Sequence, residues 1–330
     1  MDGLISDTLC HGIRSIAAEQ LPHGEIPNYR RLPNGSWEYC FSPLVSAYTY
    51  TALSCFDPSS SWFDLQALES SGATSMQTLG RMAMEIRRGI HRFLCWQQSV
   101  DATWQFFGQG SGLPADLDTT CCGSAIFLDR RQIEQFGGFR RIWSAISRFP
   151  LYGGIFDTPD SRGPEFDGAL ELRRIANANL LRCLSLAGVE HEELASALLQ
   201  DFAGDESTGS SRIALLYVLG RAYRQGQVAM LAEISTRSTD EIKKMRSEKG
   251  DFGGPLSTAM ALSAFVDFGA TGDTQPLDLG LLAANIMAPH RARLEVFCDE
   301  RCGSAALTTA ISMQALSCAG ALAIGGNSGS

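Results

Sequence analysis

One arrangement recurs along this chain of 330 residues: a short turn of glycine and aromatic residues, followed by a helical stretch of small residues. Its spacing of roughly 50 residues is typical of architectures that stack helical pairs. The stretches that follow the turns are 43–53, 119–128, 176–186, 257–265 and 305–316. Between them lie segments with apolar residues at intervals of three and four, as in amphipathic helices: 77–97, 130–149, 190–202, 210–223 and 227–234.

This repetition predicts an all-α fold, because β-like alternation is scarce and the segment 37–41 is short and ambiguous. Helices rich in small residues can pack closely and suit an inner ring, while the longer amphipathic helices suit an outer one. We therefore expect an α/α toroid, a barrel of inner and outer helices around a central apolar cavity. A single domain would span 1–330, with an N-terminal helical extension (1–30) and a flexible tail (322–330).

Composition excludes several classes of protein. Hydrophobic residues make up 45% of the chain and charged residues 19%, which is enough for a large buried core. The net charge of −9 argues against nucleic acid as a partner, because phosphate contacts need clustered Lys and Arg. Pairs of basic residues, such as Arg87-Arg88 and Arg173-Arg174, are expected on solvated helix faces.

The sequence also bears on location and on metals. The N-terminus lacks the pattern of a signal peptide, and no apolar run approaches the ~20 residues that span a bilayer. We expect a cytoplasmic protein; docking onto a membrane surface and the oligomeric state are left open. The ten cysteines mostly lie in apolar, helix-like surroundings, as buried thiols do. We expect no metal site and no cofactor.

An acidic segment at 113–120 carries the strongest chemical signal. Asp116 and Asp118 lie two residues apart, after a glycine-rich loop (108–112) and a run of aromatic residues. A buried carboxylic acid beside aromatic faces suits a reaction that protonates an apolar substrate and then shelters a carbocation. The alternative is a helix N-cap, with Pro114 restraining the chain and Asp118 capping the first turn.

The acidic segment resembles the Asp-x-Asp-Asp motif of the class II terpene cyclases, a family that includes the squalene–hopene and oxidosqualene cyclases. The glycine-aromatic turns resemble the repeats of that family. The chain is most similar to single-domain members, which fold a prenyl chain joined to an aromatic acid. The resemblance implies that Asp118 donates the proton and that Asp116 orients it, with Thr119 in place of the third acid.

The function that the resemblance implies is protonation of a terminal isoprene alkene or epoxide, followed by ring closure in an isoprenoid substrate. Candidates for contact with that substrate are Thr119 and a set of aromatic residues, each of which also suits core packing: Trp37, Trp104, Phe106, Phe107, Phe127 and Phe252. Two other functions stay open. One is a toroid of the protein prenyltransferase type, with zinc on His290, Cys298 and Asp299; the other is a toroid that binds isoprenoids without catalysis.

Overall fold

The computed structural model describes residues 2–57, 73–112, 114–129, 139–147, 149, 151–152, 155–156, 169–204, 210–269, 276–288 and 302–325. The helices are α1 (Asp2–Glu19), α2 (Pro43–Ala52), α3 (Ala73–Gln97), α4 (Leu117–Asp129), α5 (Phe139–Ile146), α6 (Ala169–Leu186), α7 (Glu192–Gly204), α8 (Ser210–Gln225), α9 (Ser235–Met245), α10 (Pro255–Asp267), α11 (Pro276–Met287) and α12 (Ala305–Gly325). Short 3₁₀ helices span Leu53–Phe56 and Ala229–Ile234.

The helices alternate between two layers. α2, α4, α6, α8, α10 and α12 each contact the next in that order, and α12 contacts α2, so they close an inner ring. The helices between them lie outside: α3 packs on α2, α5 on α4, α7 on α6, α9 on α10, and α1 and α11 on α12. Because the chain passes from one layer to the other at each step, the inner helices all run in the same direction. The predicted all-α toroid is confirmed.

The inner helices pack closely because they have small or apolar residues on every side. All ten residues of α2 are buried, and so are the eleven from Thr258 to Phe268 around the end of α10. Proline is the first residue of both helices, where its missing N–H costs no hydrogen bond. This all-round burial explains why their apolar residues lack a three- and four-residue pattern.

A hydroxyl on the fourth residue of three inner helices joins the helix to the segment before it. In each case the hydroxyl accepts a backbone N–H: Ile26 to Ser46 (2.9 Å), Trp104 to Thr120 (3.2 Å) and Phe252 to Thr258 (3.1 Å). Two of these three donors are the aromatic residues of the glycine-aromatic turns. The turns therefore fix the start of the helix that follows them.

The small amount of sheet lies beside the first turns of α2 and α12. β1 (Asn28–Arg31) pairs antiparallel with β2 (Trp37–Cys40), with Tyr29 opposite Tyr39, and with β5 (Cys302–Gly303) on its other edge. β3 (Leu151–Tyr152) pairs with β4 (Ile155–Phe156). The ambiguous segment at 37–41 is therefore a strand of a hairpin.

The structure differs from one expectation about the layers and adds detail at the two ends of the chain. The segment 210–223 was expected among the outer amphipathic helices, yet α8 is an inner helix, because residues 212–222 are all buried. The N-terminal helix is part of the outer layer, with Leu9, Ile13 and Ile16 at most 1% exposed. α12 continues to Gly325, so four residues of the expected tail are helical.

In two of the basic pairs, one arginine is buried and does not lie on the expected solvated face, whereas its neighbour is exposed (Arg88) or half-buried (Arg173). Arg87 is 1% exposed, lies over the ring of Tyr50 and donates to Asp57 at 2.7 Å. Arg174 is 5% exposed. A guanidinium group can be buried when its donors are paired, and its stem then packs like an apolar side chain. In the described part of the chain, every helix is too short or too polar to cross a bilayer.

Candidate active site

Both predicted acids lie at the start of α4, and they have different surroundings. Asp116 precedes the helix, and its Oδ1 accepts the backbone N–H of Thr119 at 2.8 Å. This is the hydrogen bond of a helix N-cap, which satisfies one of the amides that the first turn leaves unpaired. The alternative interpretation of the sequence named Asp118 as the cap. In the structure the cap is Asp116.

Asp118 is half-buried and is linked to both neighbours of α4 in the inner ring, directly to α6 and through Asn179 to α2. Its Oδ1 accepts a hydrogen bond from Nδ2 of Asn179 in α6 at 2.8 Å. The same Nδ2 donates to Oη of Tyr48 in α2 at 2.6 Å. The thiol of Cys122, one turn further along α4, donates weakly to Oδ1 at 3.8 Å. Asp118 thus belongs to a buried polar group that joins α2, α4 and α6.

Burial is the main influence on the proton equilibria of this group. It raises the pKa of the Tyr48 hydroxyl well above its usual value, and the nearby Asp118 carboxylate adds to the rise. The pKa of the Cys122 thiol is raised well above its usual value for the same two reasons, in the same order. Both groups therefore keep their protons at neutral pH.

Sequence reasoning missed Asn179 and Tyr48. Asn179 lies 61 residues after Asp118, and Tyr48 lies 131 residues before Asn179, so no local spacing links them. The available signal was Asn177 and Asn179 in the middle of an apolar helix. Asparagine is unfavourable in a helix interior, so its presence there indicates a specific hydrogen bond.

Thr119 is 1% exposed, and its hydroxyl has no hydrogen-bond partner among the described residues. Its backbone N–H is held by Asp116. The neighbouring Thr120 hydroxyl instead accepts the N–H of Trp104. The side chain at the position of the motif's third acid is therefore not part of the hydrogen bonds around Asp118.

Trp104 and Phe127 lie between the two layers. Trp104 is 1% exposed and donates its indole N–H to the Leu94 carbonyl of α3 at 2.9 Å. Its ring stacks on Phe127 with centroids 5.8 Å apart, and Phe127 in turn meets His91 of α3 at 5.1 Å. Gly123 gives the indole room, since a Cβ there would be 2.9 Å from the ring. This placement favours core packing for both aromatic residues.

We expect Trp104→Ala to lower the free energy of unfolding by roughly 3–5 kcal/mol, because it empties a large buried site and leaves the Leu94 carbonyl unpaired. Urea unfolding followed by circular dichroism measures the change. Trp96→Ala is the matched control, since Trp96 is 66% exposed and its loss should change stability little. Equal stability of the two variants would contradict the core placement of Trp104.

The remaining predicted aromatic residues do not form one group. Some lie at the end of the toroid where α4 begins, and one lies on the far side of the ring. Phe106 and Phe107 are half-buried in the loop before α4, with their rings 4.7 Å apart. Trp37 is half-buried in β2. Phe252 is 4% exposed and packs on Phe265 of α10, so the structure does not bring it to Asp118. The described side chains in hydrogen-bond contact with Asp118 are polar, where the sequence analysis expected an apolar and aromatic lining.

A charged cluster lies where the inner helices end. Arg221 of α8 donates to Tyr217 at 2.5 Å, to Gln314 at 3.1 Å and to Gln225 at 3.1 Å, and Arg182 of α6 also donates to Gln225. The interior is polar there because these side chains lie on the inward faces of α6, α8 and α12.

The carboxylate beside this cluster is Asp267 at the end of α10, with Oδ1 at 3.7 Å from Nη1 of Arg224. Burial raises the pKa of Asp267 to about 6, although Arg221, Arg224 and Arg182 oppose the rise. The arginines of the cluster therefore have neutral acceptors in Tyr217, Gln225 and Gln314 and a carboxylate nearby in Asp267.

A separate cavity of about 390 Å³ lies between α6, α7 and the segment after α8. Leu181, Val189 and Met230 are among its apolar lining residues, with Glu190 and His191 among the polar ones. It contains neither Asp118 nor Asn179, so its position argues against a role in protonation by Asp118. The alternative zinc ligands, His290, Cys298 and Asp299, lie outside the described residues, and no group of possible metal ligands occurs among the described ones.

Comparison with known proteins supports the fold. No family model matches the sequence, and no curated protein matches it. Among solved structures, the chain is similar to an arginine-to-alanine variant of the type II terpene cyclase MstE from Scytonema, solved in complex with its substrate geranylgeranyl dihydroxybenzoate. The TM-score is 0.59 at 12% identity, over 97% of this chain and 99% of that one.

The chain has the fold of a type II terpene cyclase. The match extends along nearly the whole of both chains, so the toroid accounts for almost all of this sequence. At 12% identity the likeness concerns the fold, and the chemistry has to be argued from the residues of this chain.

Proposed function

We propose that this protein is a protonation-initiated (class II) terpene cyclase, with Asp118 as the general acid. The observation that carries the proposal is the hydrogen bond of Asn179 to Asp118, with Asn179 also bonded to Tyr48, inside the ring of a type II terpene cyclase fold. Asp118 begins an inner helix at the end of the toroid where the loop with Phe106 and Phe107 crosses.

The hydrogen bond from Asn179 decides which oxygen of Asp118 carries the acid proton. An amide N–H can donate but not accept, so Oδ1 of Asp118 must be an acceptor in both protonation states. The Cys122 thiol donates to the same oxygen. In the proposed acid the proton is therefore on Oδ2.

In the proposed reaction, the proton on Oδ2 passes to the less substituted (CH) carbon of the terminal isoprene alkene. A C–H bond forms, the π bond breaks, and a tertiary carbocation and the Asp118 carboxylate remain. The N-terminal end of α4 stabilises that carboxylate through the helix dipole. The next double bonds of the chain attack the cation in turn, and loss of a proton ends the reaction. The product is an isomer of the substrate.

For the substrate we propose a polyprenyl chain, and first of all one attached to an aromatic acid, as in the ligand of the similar cyclase. Among the predicted aromatic residues, Phe106 and Phe107 are the best candidates to contact it. They lie in the loop that leads to Asp118 and are half-buried, whereas Trp104, Phe127 and Phe252 are enclosed by core packing.

The proposal is tested by incubating the protein with geranylgeranyl dihydroxybenzoate in deuterium oxide and analysing the product by mass spectrometry and NMR. We expect a cyclic isomer that carries one deuteron on the carbon that was the CH carbon of the terminal alkene. A free polyprene and a prenyl diphosphate are run in parallel. Release of diphosphate, or a cyclic product without deuterium, would contradict protonation as the first step. Tight binding of the chain without turnover would favour the non-catalytic toroid.

A further inference from the structure

The cavity outside the group around Asp118 has the size of a small-molecule site. Its volume of about 390 Å³ lies within the range of ligand pockets, roughly 300 to 1,000 Å³. It is lined by the end of α6, the start of α7 and the segment after α8, and we call it the side cavity. The cyclase proposal uses none of its lining residues.

Hydrogen bonds fix two walls of the side cavity. After α6, the N–H of Gly188 donates to the carbonyl of Ser185 at 2.9 Å, and Gly188 has the left-handed φ of +73° that ends many helices. The hydroxyl of Ser185 donates to the carbonyl of Gly226, just after α8. Gln227, the next residue, has a φ of +55°, which is uncommon for a residue with a side chain and occurs at ligand-binding segments. Walls that are fixed before binding reduce the entropy cost of binding.

The polar lining of the side cavity is acidic or neutral. Glu190 and Glu192 lie on either side of His191, and none of the described lining residues is Lys or Arg. Nδ1 of His191 accepts the backbone N–H of Leu194 at 3.2 Å, so Nε2 of this imidazole carries a proton and acts as a donor. The whole chain has a net charge of −9, so a cation is attracted by the molecule and by the two carboxylates at the cavity.

The remainder of the lining is mostly apolar, and it includes Leu181, Val189, Ala195, Val228 and Met230. The unbranched thioether of Met230 adapts to ligands of different shapes. A ligand that matches both parts of the lining has an apolar body and one positively charged end.

We propose that the side cavity binds a small organic cation, namely a protonated amine with an aliphatic or aromatic body. The ammonium group pairs with Glu190 and Glu192, and the body packs against Val189, Val228 and Met230. This binding goes beyond the proposed cyclase function and does not depend on it, because the side cavity contains neither Asp118 nor Asn179.

The test is calorimetric titration of the full chain with three probes that share one ring system: 2-naphthylmethylammonium, 2-naphthylmethanol and 2-naphthoate. We expect the ammonium probe to bind and the neutral alcohol to bind roughly tenfold more weakly, because it lacks the two ion pairs. The carboxylate should bind most weakly of the three. Added salt should weaken binding of the ammonium probe and leave that of the alcohol nearly unchanged.

The charge of the side cavity is tested with Glu190→Gln together with Glu192→Gln. This double variant should bind the ammonium probe about as weakly as the parent binds the alcohol. Glu193→Gln with Glu233→Gln is the matched control, since both side chains are exposed, neither lines the side cavity and the change in net charge is the same. The control should bind the ammonium probe like the parent.

The location is tested by filling the side cavity. Ala229 lines it and is exposed, so Ala229→Trp should fold normally and weaken binding of the ammonium probe and of the alcohol tenfold or more. Ala232→Trp is the matched control, because Ala232 is exposed on the same 3₁₀ helix but does not line the side cavity. Thermal unfolding of both variants checks that the fold is intact.

Four results would overturn the proposal. They are absence of binding of the ammonium probe at millimolar concentration, equal affinity for that probe and the alcohol, unchanged binding in Ala229→Trp, and displacement of the probe by geranylgeranyl dihydroxybenzoate, which would place the probe in the ring. Asp118→Asn should bind the probe like the parent, and Ala229→Trp should form cyclic product like the parent. Failure of the side cavity and failure of the cyclase proposal are therefore distinguishable.

Discussion

Replacing Asp118 with asparagine should remove cyclisation, with a loss in kcat of roughly 10²–10⁴-fold or more. The amide has no acidic proton, and its shape is close to that of the carboxylic acid. Asn179 can still donate to the new Oδ1, so the contacts among α2, α4 and α6 should survive. Measurements of product formation, of substrate binding by calorimetry and of thermal unfolding separate the three effects. We expect loss of the first and little change in the other two.

Asp116→Asn is the matched control, because it makes the same chemical change two residues away. Asparagine is as good an N-cap as aspartate, so its Oδ1 can accept the Thr119 N–H and preserve the first turn of α4. If Asp116 acts mainly as the cap, this variant keeps most of its activity. If it shares the work of the acid, as the resemblance implies, its activity falls with that of Asp118→Asn. Cyclic product at the parent rate from Asp118→Asn would refute Asp118 as the proton donor.

The sequence predicts the helices well and their layers less well. Runs of small residues at 43–53 and 257–265 gave inner helices, because close packing needs small side chains and burial on every side. The same logic failed for α8, whose large side chains Tyr217 and Arg221 also face the interior. They are accommodated there because Gln314 and Gln225 accept their hydrogen bonds. No pattern within α8 reveals partners that lie on other helices.

For the candidate site, too, local sequence predicts one part and contacts between helices decide the rest. Asp116 and Asp118 could be singled out from local spacing, since both belong to the start of one helix. Their separate roles could not be predicted, because the capping bond depends on where the helix begins, and the contact of Asp118 depends on α6. Aromatic residues were overestimated as cavity walls. Trp104 is close to Asp118 along the chain, but the turn before α4 directs its ring to the outer layer.

Replacing Asn179 with leucine should lower kcat by about 10²-fold with little change in KM. Leucine has the branched shape of asparagine, is somewhat larger and has no donor, so Oδ1 of Asp118 loses the Asn179 hydrogen bond and the carboxyl group can rotate away from the reacting carbon. The amide also stabilises the carboxylate that proton transfer produces, more than it stabilises the neutral acid. The alkaline limb of the pH profile of kcat should therefore move to higher pH in the variant, while the rate at the optimum falls.

Two further variants, Tyr48→Phe and Asn179→Ser, test whether the loss of rate in Asn179→Leu comes from a misplaced acid or from a general loss of packing in the inner ring. Phenylalanine removes the acceptor of the second Asn179 hydrogen bond but leaves the first, so activity should fall only a few-fold. Serine restores a donor on a shorter side chain and should recover part of the rate lost in Asn179→Leu. A loss of stability in Asn179→Leu that matches its loss of rate, with an unmoved pH profile and no recovery in Asn179→Ser, would mean that Asn179 only holds α6 against α4. Asp118 would then have to be oriented by another group, because a carboxyl that rotates freely would transfer its proton in few of its orientations.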